Sequence, residues 1–294
     1  MTHSNNLTVN IIDPHLHLFN RSLGDYHWLK TVKPPFWPDK YLLQQDFSID
    51  ELNKSLEHNA INLAGFVHIE AGFDNTQPWR EVEYIESLAC QQNRTIASID
   101  LLAPVADFQA RLQKLQQYSS LIGARHILDE QALRVLSNVN AQQNFAQLNN
   151  VADFIFELQL SLADQASILT QTTVPASEVG TISTTQTSWQ LWQKHIAELA
   201  SYPNVLIKCS GWEMTDRHDQ LSWFSEVTRF CIESFSINRV MLASNFPLCL
   251  LGKESAKVIA SNNKIAKLSN KSYASYWQDI LASTVMKDCN EHEK

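Results

Sequence analysis

Residues 11–20 read IIDPHLHLFN. Ile11 and Ile12 begin an apolar run of strand character, and two histidines follow one residue apart. Side chains alternate faces along a strand, so His15 and His17 point the same way. Two imidazoles on one face at the end of a buried strand have the pattern of paired metal ligands. The strand itself is expected over residues 9–13.

The same organisation repeats downstream. Short apolar runs alternate with longer segments whose apolar residues recur at helical spacing. LAGFVHIEAG (63–72) reads as a buried strand ending at Glu70, and WREVEYIESLACQQ (79–92) as a helix. TIASIDLLAP (95–104) is a third strand, FQARLQKLQQYSSL (108–121) a helix and GARHIL (123–128) a fourth strand. FAQLNNVADFIFELQL (145–160) is a short helix followed by a strand from Phe154. WQLWQKHIAELASYPNV (189–205) is a helix stopped by Pro203, because proline cannot continue the hydrogen-bond ladder. VLIKCSG (205–211) is a strand, WFSEVTRFCIESF (223–235) a helix, NRVMLAS (238–244) the last strand and SYWQDILASTVMKDC (275–289) a closing helix.

One strand is lacking from that count. The Thr/Ser-rich stretch ILTQTTVPASEVGTISTTQTSW (168–189) reads as a weak strand between Ile168 and Gly180, with a loop. With it the chain makes eight βα units, which predicts an α/β fold of the (β/α)₈ barrel type, one domain over residues 1–294. An open doubly wound sheet would want a Gly-rich phosphate loop after the first strand, and none is present.

The bulk numbers agree with an ordinary globular chain. Of 294 residues, 44% are hydrophobic and 18% charged, enough for a sizeable core. The net charge of −8 and the lack of a basic block argue against nucleic acid as a partner. No stretch reads as a signal peptide or a bilayer span, so no membrane association is expected. Five scattered cysteines, Cys90, Cys209, Cys231, Cys249 and Cys289, suggest reduced thiols and a cytoplasmic protein. Glycine is scarce at 7 residues, and five of them (Gly65, Gly72, Gly123, Gly180 and Gly211) sit beside expected strands, where each should meet a backbone need.

In such a barrel, chemistry sits at the C-terminal ends of the strands. The polar residues there are His15, His17, His68, Glu70, Arg125, His126, Glu157, Lys208, Trp212 and Asn245. Burying several of these without a role is costly, so the set as a whole points to a site.

The segments DPHLHLF, GFVHIEAGFD, GARHIL, PNVLIKCSG and NRVMLASNFP resemble successive motifs of the amidohydrolase-2 family, in that family's order from residue 11 to about 250. The branch they are most similar to holds sugar-acid lactonases and sulfomuconolactone-type hydrolases, predicted TIM-barrel metal-dependent hydrolases. The resemblance implies a distorted (β/α)₈ TIM barrel and hydrolysis of a small lactone, ester or amide, or in some members decarboxylation. It carries the metal-binding H-x-H onto His15 and His17, an arginine-histidine pair onto Arg125 and His126, and a strand-two glutamate onto Glu70.

Two positions depart from the family pattern. Where the family has an Asp before an aromatic-Pro pair, this chain has SNFP, which puts Asn245 there. An amide has no basic oxygen near neutral pH and cannot take a proton from water. Where the family has a histidine in a turn after strand six, the best match is SEVG, which puts Glu178 there. His15, His17 and Glu178 would form a two-histidine, one-carboxylate set able to hold zinc or manganese. The replacement of the Asp by Asn245 leaves a metal-free site as the alternative.

The remaining candidates have plainer readings beside the functional ones. Arg125 suits a substrate carboxylate through its bidentate fork, or an ion pair with Glu70 or Glu157. His126 suits protonation of a leaving group, polarisation of a carbonyl, or a hydrogen bond within the barrel. His68 shares a strand face with Glu70, as a contact to substrate or a brace behind the site. Trp28 and Trp212 suit the walls of a sugar-sized pocket, or ordinary packing. Tyr273, Tyr276 and Trp277 are at helical spacing and should pack on the barrel.

Three functional readings stand on this basis. The first is a hydrolase acting on an anionic or sugar-acid small molecule, with Asn245, His126 and Glu70 as the groups nearest the chemistry. The second is a catalytically degenerate member that binds a small ligand or partner. The third is a metal-dependent decarboxylase-like relative. A homo-oligomer is compatible with all three.

Overall fold

The computed structural model describes residues 8–30, 32–33, 40–88, 92–128, 131–159, 186–211, 221–251 and 272–283. Its strands are β1 (Val9–Leu16), β2 (Ile61–Ile69), β3 (Gln92–Ser98), β4 (Leu121–Ile127), β5 (Ile155–Gln159), β6 (Ile207–Cys209) and β7 (Val240–Leu242). The first five form one parallel sheet in sequence order, and β6 pairs with β7 in a second parallel sheet. The two sheets meet at β1. Leu16 bridges Phe246 in parallel, His17 N–H donates to the Phe246 carbonyl (2.7 Å), and Asn245 N–H donates to the His15 carbonyl (2.9 Å). This is a distorted α/β barrel of the (β/α)₈ type. The weak strand expected between 168 and 180, with Gly180, lies outside the described residues.

The first strand is longer than its apolar run. It extends to Leu16 and carries His15. Its register against β2 shifts between Asp13 and Leu16, around Pro14, which has no N–H to give to a ladder. Tight contact between strands explains a glycine on β4. A Cβ on Gly123 would lie 2.2 Å from the Ile155 carbonyl oxygen of β5.

The helices are α1 (Ile49–Leu56), α2 (Trp79–Ser87), α3 (Val105–Leu115), α4 (Ala132–Leu136), α5 (Val139–Asn149), α6 (Gln186–Ala200), α7 (Leu221–Phe235) and α8 (Tyr273–Ala282). They bury the stripes their spacing predicts. On α3 these are Phe108, Leu112 and Leu115, and on α7 Trp223, Val227, Cys231 and Phe235. Each such side chain contributes roughly 1.5–3 kcal/mol by leaving water. Sequence reading passed over α1, although Ser48 and Glu51 carry a full capping box at its start.

Two polar anchors hold the outer layer to the wall. Arg239 donates to the carbonyls of Ala200 (2.9 Å), Tyr202 (2.8 Å), Val205 (3.2 Å) and Phe235 (2.9 Å), tying the ends of α6 and α7 together. On α8, buried Tyr273 donates to Asp13 (2.9 Å) and Tyr276 to the Ala243 carbonyl (2.6 Å), so the closing helix is pinned where β1 meets the end of β7. The aromatic run therefore packs on the barrel as its spacing predicts. Cys209, Cys231 and Cys249 are buried thiols. Among the described residues no helix is long and apolar enough to cross a membrane.

Candidate active site

The strand ends gather a chain of buried charges. Glu70 follows β2 directly, Arg125 lies on β4, Glu157 on β5 and Lys208 on β6, and all four are nearly sealed from water. Arg125 Nε and Nη2 each lie 2.9 Å from Glu70 Oε1, and Nη2 also donates to the Glu70 carbonyl (2.8 Å). The other guanidinium nitrogen, Nη1, lies 3.6 Å from Glu157 Oε1 and 3.3 Å from Gln159 Oε1. Lys208 Nζ donates to Glu157 Oε2, and His15 Nδ1 lies 3.2 Å from Glu157 Oε1. Both ion pairs open to Arg125 in the sequence are thus made.

Burial and pairing act differently on the two carboxylates. Glu70 is pushed up to about 7 because loss of water outweighs its pairing with Arg125, and the charge of Glu81 adds to the rise. Burial raises Glu157 as well, but Lys208, His15 and Arg125 together outweigh it and hold this carboxyl well below the usual range. Glu70 is therefore half-protonated near neutral pH, while Glu157 stays ionised.

His15 and His17 are both buried, with their Nε2 atoms 3.1 Å apart. His17 Nδ1 faces the Ile69 carbonyl (2.9 Å), which can only accept, so Nδ1 carries the proton and Nε2 a lone pair. Burial, with the charges of His15 and Arg125, holds His17 well below its ordinary range, hence neutral. Two lone pairs at this separation repel, so a proton on His15 Nε2 or a cation must lie between the rings.

His68 and His126 face protein partners. His68 accepts from Leu18 N–H at Nδ1 (3.2 Å) and meets Glu81 Oε1 at Nε2 (3.0 Å), which fixes the Nε2–H tautomer. His126 neighbours Arg125 on β4 and so points to the other face. Its Nδ1 lies 3.1 Å from the Ile99 carbonyl and 3.3 Å from Leu101 N–H, in the loop after β3. Burial lowers its pKa. The arginine-histidine pair is therefore split, with only Arg125 in the charged cluster.

Asn245 is half-buried and sits beside His15 through its backbone, at φ 54°. Asn and Asp tolerate this left-handed conformation better than most residues. Trp28 is half-buried and donates from Nε1 to the Ala71 carbonyl (2.7 Å), beside Glu70. Trp212 and Glu178 lie outside the described residues.

The family model for Amidohydrolase matches residues 12–267. The chain belongs to the amidohydrolase family. An uncharacterized protein of Sinorhizobium fredii is 26% identical over 261 residues, covering 81% of this chain and 85% of that one. The L-fucono-1,5-lactonase of Burkholderia multivorans is 23% identical over 286 residues, covering 87% and 86%. A crystal structure of an amidohydrolase from Burkholderia multivorans with bound zinc superposes at a TM-score of 0.65 and 19% identity, over 92% of this chain and 89% of that one. This last likeness confirms the barrel.

A metal expected of an amidohydrolase can be tested against this geometry. Two nitrogens on a tetrahedral zinc, each about 2.0–2.1 Å from it, lie about 3.3 Å apart, close to the spacing of the two Nε2 atoms. Both Nδ1 atoms face oxygen partners, as the outer nitrogens of metal-bound imidazoles do. His15 and His17 fit two positions of a metal site. Among the described residues no group of three metal-binding side chains gathers, and the nominated third ligand, Glu178, lies outside them.

Sequence reasoning passed over three residues of this amidohydrolase site. Asp13 is fully buried and accepts from His15 N–H (3.1 Å), Ser244 N–H (3.2 Å) and Tyr273. A carboxylate inside the apolar run before Pro14 was the available signal. Gln159 reads in sequence as an ordinary strand residue. Glu81 reads as an ordinary acidic residue of a first helical turn, a position that favours carboxylates anyway.

Proposed function

We propose that this amidohydrolase hydrolyses a small lactone, ester or amide that carries an anionic or sugar-acid group. The observation that carries the reading is the buried Glu70 carboxyl at the end of its strand, held 2.9 Å from Arg125 Nε, where burial pushes it up to about 7. A group with a pKa near the working pH is the best suited to take a proton from water and return it to a leaving oxygen. Glu70 fills that role in this chain, since the Asn245 amide cannot. Arg125, with Lys208 behind it, supplies cationic character for an anionic substrate, and Asn245 offers an amide donor to a substrate oxygen. Trp28, beside Glu70, is placed to give the substrate an apolar wall, a part for which Trp212 is the second candidate, whereas His126 faces the loop after β3 and takes no part. His15, His17 and Glu178 would hold a divalent ion such as zinc or manganese, which polarises a carbonyl or acidifies water when bound. His68 supports the site from behind. The lactonase relative supports a lactone as the substrate to try first.

The test is hydrolysis of L-fucono-1,5-lactone and other sugar-acid lactones by protein purified without chelator, with elemental analysis of the same sample. Glu70→Gln should lower kcat about 10²–10⁴-fold, the usual contribution of a proton-transfer group. Equal rates for the two forms would overturn the assignment of Glu70. A natural protein that turns over no lactone, ester or amide while binding sugar acids would favour the degenerate reading, which Asn245 motivates.

A further inference from the structure

The peptide that carries Glu70 is held by four partners. Glu70 N–H donates to the Ile96 carbonyl (2.9 Å), and the Glu70 carbonyl accepts from Arg125 Nη2 (2.8 Å). Ala71 N–H donates to Glu81 Oε1 (2.8 Å), and the Ala71 carbonyl accepts from Trp28 Nε1 (2.7 Å). Gly72 follows at φ 74°, and a Cβ there would lie 3.0 Å from Trp28 Cδ1. Most of these partners belong to strands or to the site itself. Glu81 reaches in from α2, from which its side chain is buried at 3% exposure.

A buried carboxylate is costly unless hydrogen bonds satisfy it. The same Oε1 of Glu81 meets His68 Nε2–H (3.0 Å), and His68 Nδ1 accepts Leu18 N–H, the residue after His17. One carboxylate oxygen thus joins the turn after β2, which bears Glu70, to the end of β1, which bears His17. We propose that Glu81 is the positioning residue of the site, aiming the Glu70 carboxyl and the His17 ring through the Ala71 peptide and the His68 imidazole. This rests on the hydrolase reading for its consequence in turnover, though not for the junction itself. Glu70 is faced by Arg125 from β4, with Glu157 of β5 beyond it, and by Glu81 from α2.

The experiment compares Glu81→Gln and Glu81→Leu with the natural protein in hydrolysis of L-fucono-1,5-lactone. It also follows the Glu70 carboxyl titration by NMR of ¹³C-glutamate-labelled protein, assigned with Glu70→Gln. Gln still accepts from Ala71 N–H and His68 Nε2–H, so its kcat should stay within about threefold. Leu removes the acceptor and should lower kcat about 10–100-fold, with KM changed less than about twofold, as for other groups that orient a site from behind. In Glu81→Gln the Glu70 midpoint should fall, because a like charge has been removed. An unchanged kcat in folded Glu81→Leu, or a Glu70 midpoint that does not move in Glu81→Gln, overturns the proposal. If Glu81→Leu does not fold, the midpoint in Glu81→Gln decides by itself. If the natural protein turns over no lactone, the hydrolase reading fails while the midpoint still judges Glu81.

Discussion

Removing the carboxylate of Glu157 should be among the most damaging single changes in this barrel. Glu157 is fully buried and faces Lys208 in contact, His15 at 3.2 Å and Arg125 at 3.6 Å. In Glu157→Gln the Lys208 ammonium, itself only 7% exposed, loses its carboxylate. Arg125 is less affected because Glu70 remains 2.9 Å away. Breaking a buried pair from one side costs about 3–5 kcal/mol, most of it the burden of the orphaned charge. The reverse change, Lys208→Met, leaves Glu157 beside Arg125 and His15 and should cost about 1–2 kcal/mol less than Glu157→Gln. In Glu157→Gln/Lys208→Met no orphan remains, so the double variant should be more stable than Glu157→Gln alone, with a coupling of about 2–3 kcal/mol. Urea unfolding of the four proteins at pH 7 measures all three quantities. A loss below about 1 kcal/mol in Glu157→Gln, or costs that add within about 0.5 kcal/mol, would refute the view of this cluster as a tightly coupled buried unit. Because Glu157 is held below its ordinary range, its stabilisation is present above about pH 4.5 and is lost as pH falls further. Acid unfolding should therefore shift to higher pH in Lys208→Met.

Three further outcomes follow from neighbouring residues. Glu70 has the opposite sign: its folded pKa of about 7 lies above the ordinary glutamate value of 4.5, so its contribution is full below 4.5 and is lost as pH rises through 7. That loss amounts to about 3 kcal/mol by pH 8, and Glu70→Gln should flatten the stability profile between pH 5 and 8 in denaturant titrations; parallel profiles would contradict it. Asn245→Asp places a carboxylate beside His15 and should raise divalent-ion occupancy, read by elemental analysis, or lactone hydrolysis; if it abolishes a fast natural activity instead, the amide has a role of its own. Tyr273→Phe removes one donor from buried Asp13 and should cost about 1–3 kcal/mol in urea unfolding, whereas no change would mean the α8 anchor is redundant.

Much of this protein was legible in its residues. The alternation of apolar runs and amphipathic segments identified seven of the strands and most of the helices in order, because period-two and helical burial leave direct marks on sequence. The i, i+2 spacing put His15 and His17 on one face, and strand-end placement singled out Glu70, Arg125, Glu157 and Lys208. Pairing was beyond its reach. Adjacent residues Arg125 and His126 both looked like site groups, but strand alternation within the finished sheet sends one into the charged cluster and the other to the loop after β3. Asp13 and Tyr273 are separated by 260 positions and Arg125 and Glu70 by 55, so only the folded chain brings them together. The same holds for the Glu70 pKa. A glutamate in a sequence is an ordinary acid, and it becomes a group titrating near 7 only when the barrel takes its water away and sets Arg125 and Glu81 around it.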